Sequence, residues 1–190
     1  MKIILGSQSK WRAKELEEAG IEFTTMSADI DEKAIRFDDP EKLTLALAHA
    51  KADALLKDIY EPALLITTDQ VAVCDGEIRE KPENVREARG FLESYTRYPA
   101  EVVNGLVVTD TSSGKRFEGI DRAKVFYKPS LAFVIDELIK KGEVMTCAGS
   151  FQAEDPLMLA HVDHIEGGLD SFSGMPIVLV KRLLSEAQLL

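Results

Sequence analysis

The sequence has 190 residues, of which 45% are hydrophobic and 29% are charged. This balance argues against extensive disorder, and the length suits one folding unit, so we predict a single domain over residues 1–190. The formal net charge of −10 repels the phosphates of nucleic acid, which excludes nucleic acid as a partner and requires any anion site to be a local cluster of basic groups.

The first half of the chain alternates short apolar runs with capping and turn residues. An acidic, irregular stretch from Ser27 to Asp39 interrupts it. The predicted elements, in order, are a strand from Lys2 to Gly6, a helix through Ala19 that stops at Gly20, a strand from Glu22 to Met26, a helix from Pro40 to about Lys57 with Asp39 as its N-cap, and a hairpin that begins at Leu64 and turns at Asp75 and Gly76.

The second half continues the alternation. It predicts a helix from its cap at Asn84 through Tyr95, a hairpin of Glu101 to Asp110 and Lys115 to Tyr127 around Thr111 to Gly114, a helix from Ser130 to Lys141 that stops at Gly142, a strand from Leu157 to Ile165, and a helix from Pro176 to about Ala187. Interleaved helices and strands indicate an α/β fold, and the two hairpins require a mixed sheet flanked by helices.

Two cysteines, Cys74 and Cys147, are too few for a disulfide framework and favour a reducing compartment. The apolar run from Met1 to Leu5 is too short for a signal peptide, and no later stretch approaches membrane-spanning length. We therefore predict a cytoplasmic protein without membrane contact.

Three cations, Lys10, Arg12 and Lys14, lie in the first turns of the helix that begins in the segment GSQSKWR, where the helix dipole disfavours positive charge. Ser7 and Ser9 add hydroxyl groups at the same helix start. The segment therefore resembles a phosphate-binding loop, although Ser9 as a simple N-cap explains it equally well.

An acidic loop and a lysine offer further candidates. Asp29, Asp31 and Glu32 could bind a hard divalent cation through oxygen ligands, although acidic loops are more often only solvated. Lys51 lies at the edge of the apolar stripe of its helix, and a surface role is favoured for it.

Asp69 follows the buried strand of Leu64 to Ile66, at the strand end where α/β sheets place ligand-binding groups. A turn or cap aspartate is the alternative. A hairpin turn at Asp75 and Gly76 places Gln70 opposite Lys81, with Asp69 diagonal to that pair. Arg79 and Lys81 form a second candidate anion site, unless both are only exposed residues of an edge strand.

Other site types lack support in the sequence. His49, His161 and His164 do not form a metal-binding set, since the first is in a helix and the other two face opposite sides of a strand-like segment. No Walker loop, GxGxxG motif or GxSxG elbow is present. The anion-binding cleft is the remaining hypothesis.

Taken together, these segments resemble the Maf family of nucleoside triphosphate pyrophosphatases along nearly the whole chain. The matching segments are LGSQSKWRAKEL with Ser7, Ser9 and Arg12, SADIDEK with Glu32, LALAHAKADA with Lys51, TTDQV with Asp69, REKP with Lys81, CAGSFQAE with Gln152, and SGMP. Lys10 replaces the usual proline of the family, and Met175 replaces the usual leucine.

The resemblance implies two small lobes around a nucleotide-binding cleft, as in the ITPase-like fold, and a nucleoside triphosphate substrate; we also expect a homodimer. It implies Asp69 as the general base and Glu32 as a metal or water ligand, with Mg²⁺ or Mn²⁺ held by Glu32 and Asp69. The substrate-binding residues that it implies are Ser7, Ser9, Trp11, Arg12, Lys51, Gln70, Lys81 and Gln152.

The substrate is inferred from two replacements. Trp11 stands where members that prefer pyrimidine triphosphates have arginine, and Gln70 replaces a threonine, so the chain is similar to the subfamily that removes 7-methyl-GTP as a modified nucleotide. Gln152 stands where that subfamily usually has lysine, which keeps dTTP or UTP as an alternative. Two other hypotheses are a non-catalytic regulator of cell division and a dehalogenase-like phosphatase that uses Asp29 and Asp31.

Overall fold

The computed structural model describes residues 1–153 and 155–188. The strands are β1 (Lys2–Leu5), β2 (Thr24–Thr25), β3 (Ala63–Cys74), β4 (Glu77–Arg79), β5 (Ala100–Asp110), β6 (Arg116–Tyr127) and β7 (Val162–Glu166). The helices are α1 (Lys10–Glu18), α2 (Pro40–Leu55), α3 (Val85–Ser94), α4 (Ile135–Lys141), α5 (Pro156–Leu159) and α6 (Ile177–Gln188).

Seven strands of the described residues form one sheet in the order β2-β1-β3-β5-β6-β7, with β4 paired to β3. β1 is parallel to both β2 and β3, whereas β4 is antiparallel to β3 and β7 is antiparallel to β6. The predicted mixed sheet of an α/β fold is therefore confirmed.

The chain divides into two compact units. The first unit comprises Met1–Gln70, Val103–Asp121 and Gly168–Leu190, and the second comprises Val71–Val102 and Arg122–Gly167. The three long strands β3, β5 and β6 each begin in one unit and end in the other.

In the first unit, helices cover both faces of the sheet. Successive residues of a strand point to opposite faces, and Leu64 and Ile66 of β3 join one apolar cluster while Ala63 and Leu65 join another. The first cluster includes residues of α1 and α6, and the second includes residues of α2. Burial on both faces explains why this part of β3 is a continuous apolar run.

The second unit has its own buried residues. Its helix α3 contacts α4, and Leu92, Tyr95 and Leu138 are almost completely buried. The buried hydroxyl of Tyr95 donates a hydrogen bond of 2.7 Å to the carbonyl of Gly149. This hydrogen bond connects the C-terminal end of α3 to the backbone at Gly149.

The predicted caps are confirmed. The Asp39 side chain accepts hydrogen bonds from the backbone N–H groups of Glu41 and Lys42 at the start of α2, and the Asn84 side chain accepts one from Glu87 in α3. Gly142 ends α4 with φ of +83°, the left-handed region that glycine tolerates best.

Three predicted elements differ from the structure. The strand predicted from Leu157 to Ile165 is wrong in its first part, because Asp155 accepts the N–H of Leu157 and caps the short helix α5; only β7 is a strand. The strand predicted over Glu22 to Met26 is limited to β2, and a 3-10 helix, Pro129–Val134, replaces the first half of the helix predicted from Ser130. Alternation alone could not separate a helical turn from a strand in so short a segment.

Both cysteines are free thiols, as their number predicts. Among the described helices, none combines the length and the apolar character that a membrane span requires.

Candidate active site

The loop between β1 and α1 is held by its own serine hydroxyls. Ser9 caps α1, since its Oγ accepts the backbone N–H of Arg12 at 3.4 Å, and Ser7 Oγ accepts the N–H of Ser9 at 3.2 Å. The simple N-cap is therefore present. It leaves the phosphate contacts of Ser7 and Ser9 as predictions, because the free N–H groups of a helix start still favour an anion.

Arg12 turns back from α1 toward the middle of β3. Its Nη1 donates to the carbonyl of Thr68 at 3.3 Å and to Ser7 Oγ at 3.5 Å. Burial lowers the pKa of Arg12, and the charges of Asp69 and Glu32 oppose that effect. Arginine remains protonated at any physiological pH, so the positive charge of Arg12 lies beside Ser7, in the loop that follows β1.

Gly174 makes room for this arginine. A Cβ atom at Gly174 would lie 2.9 Å from Arg12 Nε, and the φ of Gly174 is +78°. Both the close approach and the left-handed backbone require glycine. The SGMP segment thus supports Arg12.

Asp69, Lys51 and Glu32 form the centre of the candidate site. Lys51 Nζ lies 2.5 Å from Asp69 Oδ1 and 2.9 Å from Glu32 Oε1, and the side chains of Lys51 and Asp69 are only 12% and 11% exposed. The surface role favoured for Lys51 is therefore wrong: the edge of the apolar stripe on α2 faces the middle of β3. Asp69 lies within β3, so the predicted strand-end position and the alternative of a turn or cap residue are both wrong.

The protonation of Asp69 reflects two opposing effects. Burial raises the pKa of Asp69, because a desolvated carboxylate favours its neutral form, while the nearby charges of Lys51 and Arg12 lower it. A carboxyl group whose pKa is raised in a polar site is typical of a general base or acid.

The acidic loop does not form the candidate cation site of Asp29, Asp31 and Glu32, in line with the favoured interpretation of a solvated loop. Asp31 caps a 3-10 helix by accepting the N–H of Lys33 at 3.1 Å, and Asp29 is exposed. Within residues 1–153 and 155–188, no three His, Cys, Asp or Glu side chains are grouped as a metal site. The dehalogenase-like hypothesis loses its aspartate pair, since no strand leads directly into Asp29.

The remaining oxygen donors, those of Glu32 and Asp69, fit a hard divalent cation. Both carboxylates contact the ammonium group of Lys51, so their oxygen atoms lie near one another. Mg²⁺ commonly takes one or two protein carboxylates and completes its octahedron with water and substrate phosphates. Two carboxylates are thus sufficient for a metal that arrives with a triphosphate.

The two residues predicted to contact the base differ in their surroundings. Trp11 lies on α1 and is 55% exposed, so its indole face is accessible. Gln70 Nε2 donates to the backbone carbonyls of Ser171 at 2.8 Å and Phe172 at 3.3 Å. The amide hydrogens of Gln70 therefore hold a loop, and only its Oε1 can accept from a ligand.

Lys81 and Gln152 belong to the second unit. Lys81 is exposed just after β4, and Gln152 Nε2 donates to Glu143 Oε2 at 2.8 Å. The observed hairpin register, with Ala72 opposite Arg79, agrees with the predicted one. The ladder ends there, however, so the pair of Gln70 with Lys81 lies outside it and remains a prediction.

Arg79 does not form the anion site predicted with Lys81, nor is it an exposed residue of an edge strand. It is buried, donates to Ser94 Oγ at 2.7 Å and to the carbonyl of Phe91, and lies against the rings of Phe91 and Tyr95. These contacts fix β4 to α3 and give Arg79 a structural role.

Sequence reasoning missed Asn104, an amide that is fully buried in β5. Its Nδ2 donates to the carbonyl of Ser171 at 2.9 Å and to Asp121 Oδ2 at 3.1 Å. The signal was available, since Asn104 is an amide within the apolar run VVNGLVV.

The fold and these contacts define a mixed α/β protein with a lysine-paired carboxylate inside a central strand. The sequence matches the family of Maf-like proteins over residues 2–187, and the chain belongs to that family.

Three curated relatives cover almost the whole chain. A protein of Dictyostelium discoideum named 7-methyl-GTP pyrophosphatase is 44% identical, over 97% of this chain and 96% of the relative. One of Vibrio vulnificus with the same name is 32% identical, over 97% and 94%. One of Pseudoalteromonas atlantica named dTTP/UTP pyrophosphatase is 33% identical, over 98% and 97%.

Proposed function

We propose that this chain hydrolyses 7-methyl-GTP to 7-methyl-GMP and pyrophosphate, and that it acts in the cytoplasm to remove a modified nucleotide. Nucleoside triphosphate pyrophosphatase is the enzyme class of its named Maf relatives, and the chain belongs to that class. The observation that carries the proposal is the contact of Lys51 with both Asp69 and Glu32, beside Arg12.

The charges of the site suit a triphosphate. Arg12 and Lys51 supply two cations close to the carboxylates, which gives an acidic chain the local positive charge that an anionic ligand requires. Ser7, Ser9 and the N–H groups at the start of α1 add hydrogen-bond donors for phosphate oxygens. Lys81 and Gln152 are further substrate contacts in this proposal.

A divalent cation, Mg²⁺ or Mn²⁺, would be held by Glu32 and Asp69 together with phosphate oxygens, and it would neutralise charge that develops on the phosphates.

Asp69 acts as the general base in this proposal. It accepts a proton from a water molecule as the water oxygen bonds to the α-phosphorus, and the bond from that phosphorus to the bridging oxygen of the β-phosphate breaks. The electron pair of the broken bond leaves with pyrophosphate. Because burial raises the pKa of Asp69 and Lys51 opposes the rise, the carboxylate can both bind and release a proton.

The base preference rests on Trp11. A 7-methylated guanine carries positive charge, and an exposed indole face attracts a flat cation. Gln70 would contribute through Oε1, which accepts from the N–H groups of a guanine edge, because its Nε2 hydrogens are used by Ser171 and Phe172.

A pyrimidine triphosphate is the second candidate substrate, and the relative named dTTP/UTP pyrophosphatase favours it. A non-catalytic regulator of cell division has less support, because such a role does not need a buried carboxylate paired with Lys51.

A substrate panel tests the assignment. Purified chain is incubated with 7-methyl-GTP, GTP, dTTP and UTP in Mg²⁺, with and without inorganic pyrophosphatase, and phosphate is measured. We expect phosphate only when pyrophosphatase is present, and the highest kcat/KM with 7-methyl-GTP. A preference for dTTP would replace the substrate, and no turnover of any triphosphate would overturn the enzyme assignment. Asp69→Asn controls for contaminating hydrolases.

A further inference from the structure

One backbone carbonyl, that of Ser171, accepts three hydrogen bonds. The donors are Gln70 Nε2 at 2.8 Å, Asn104 Nδ2 at 2.9 Å and the backbone N–H of Gly174 at 3.1 Å. A carbonyl oxygen has two lone pairs, so three donors saturate it. Such a carbonyl fixes every group that donates to it.

Two of the three donors, Gln70 and Gly174, lead to residues of the candidate site. Gln70 directly follows Asp69, and Gly174 packs against Arg12. The carbonyl of Gly174 also accepts a hydrogen bond of 3.4 Å from Thr68 Oγ1, while the carbonyl of Thr68 accepts from Arg12. The Ser171 carbonyl therefore connects the backbone at Asp69 with the support of Arg12.

Asn104 has no role in this arrangement other than to donate. It is 0% exposed in an apolar strand, and burying an amide costs free energy unless its groups are paired. Both hydrogens of its Nδ2 are used, by Ser171 and Asp121, whereas its Oδ1 has no protein partner among the described residues. A leucine of nearly the same shape would avoid the unpaired oxygen, so packing alone does not explain the amide.

We propose that Asn104 is a positioning residue: through the Ser171 carbonyl it holds the turn that ends at Gly174 and thereby fixes Arg12 and the backbone beside Asp69. The expected effect of Asn104 on turnover rests on the proposed function. Its expected effect on the turn that ends at Gly174 does not, because that effect can be measured without substrate.

The central test compares Asn104→Leu with Asp121→Asn. Asn104→Leu removes both donors and nearly keeps the side-chain shape. Asp121→Asn removes a charge next to Asn104 but leaves an oxygen that accepts its Nδ2, and it leaves the bond to Ser171 intact. Thermal unfolding of both variants reports any general loss of stability.

Amide hydrogen exchange at Gly174 is the readout that does not need substrate. In the wild type the Gly174 N–H should exchange slowly, because it is bonded to Ser171. In Asn104→Leu we expect exchange at least roughly 10-fold faster, the factor typical of losing one buried hydrogen bond, and in Asp121→Asn no change. A fast Gly174 N–H in the wild type, or equal rates in Asn104→Leu and the wild type, would overturn the proposed contact.

Steady-state kinetics with the best triphosphate of the panel provide the second readout. We expect Asn104→Leu to raise KM and to lower kcat/KM by roughly 10-fold, since Arg12 loses its support, while Asp121→Asn stays near wild type. Unchanged KM and kcat together with faster Gly174 exchange would show that the turn does not position the site. If Asn104→Leu does not fold, Asn104→Ala, which also loses both donors and adds no volume, takes its place.

Discussion

Gly174→Ala probes the support of Arg12 most directly. The φ of Gly174 is +78°, and the new Cβ would lie 2.9 Å from Arg12 Nε and 3.1 Å from its Nη2. A left-handed backbone costs a residue with a Cβ about 1–2 kcal/mol. The steric contact adds a second effect, because real Cβ atoms do not approach other atoms this closely and the guanidinium must move.

Gly20→Ala is the matched control. Gly20 follows α1 with φ of +73°, and a Cβ there would have no atom within 4 Å. Both variants should therefore lose about 1–2 kcal/mol of stability, which lowers the unfolding temperature by about 2–8 °C in a chain of this size.

Only Gly174→Ala should lose activity. We expect its kcat/KM to fall at least about 10-fold, the effect of a misplaced phosphate-binding arginine, while Gly20→Ala keeps wild-type kcat/KM. Differential scanning fluorimetry and initial-rate kinetics measure the two effects separately. If Gly174→Ala retained the activity of Gly20→Ala at equal stability, the position of Arg12 would not matter to the reaction.

Three further predictions concern the candidate site. Asp69→Asn and Glu32→Gln should each lower kcat by at least about 100-fold with unchanged circular dichroism, and near-wild-type rates in both would remove their catalytic roles. Lys51→Met should move the acid limb of kcat/KM to higher pH, because burial raises the pKa of Asp69, Lys51 opposes that rise, and the base must be deprotonated to act; an unmoved limb would show that Asp69 is not the titrating base. Trp11→Ala should depress 7-methyl-GTP cleavage roughly 5-fold to 150-fold and dTTP cleavage little, since stacking is worth about 1–3 kcal/mol; equal losses would refute the base contact.

Much of the fold could be predicted because the signals are local. Asp39 and Asn84 are N-caps whose side chains bond backbone groups two or three residues away, and Asp75 and Gly76 set the register of the hairpin. The start of the strand predicted after Asp155 is wrong, because a helix of four residues before a strand has no distinct period.

The site was predicted less completely, for a physical reason. The apolar run before Asp69 indicated that residue, but the inward position of Lys51 depends on how α2 packs against β3. The bond from Asn104 to Ser171 joins residues 67 positions apart, and its acceptor is a backbone carbonyl that any residue type could provide. The sequence shows Asn104 as an amide in an apolar run, but it does not show which group that amide contacts.

Hydrolysis of the best triphosphate in water labelled with heavy oxygen tests the central claim most directly. The two products are separated, and the label in each is measured by mass spectrometry. Free phosphate is measured without added pyrophosphatase. Attack at the α-phosphorus places the label in the nucleoside monophosphate, with unlabelled pyrophosphate in equal amount and phosphate at background. Label in pyrophosphate, or direct release of phosphate with a nucleoside diphosphate, would contradict the proposed reaction.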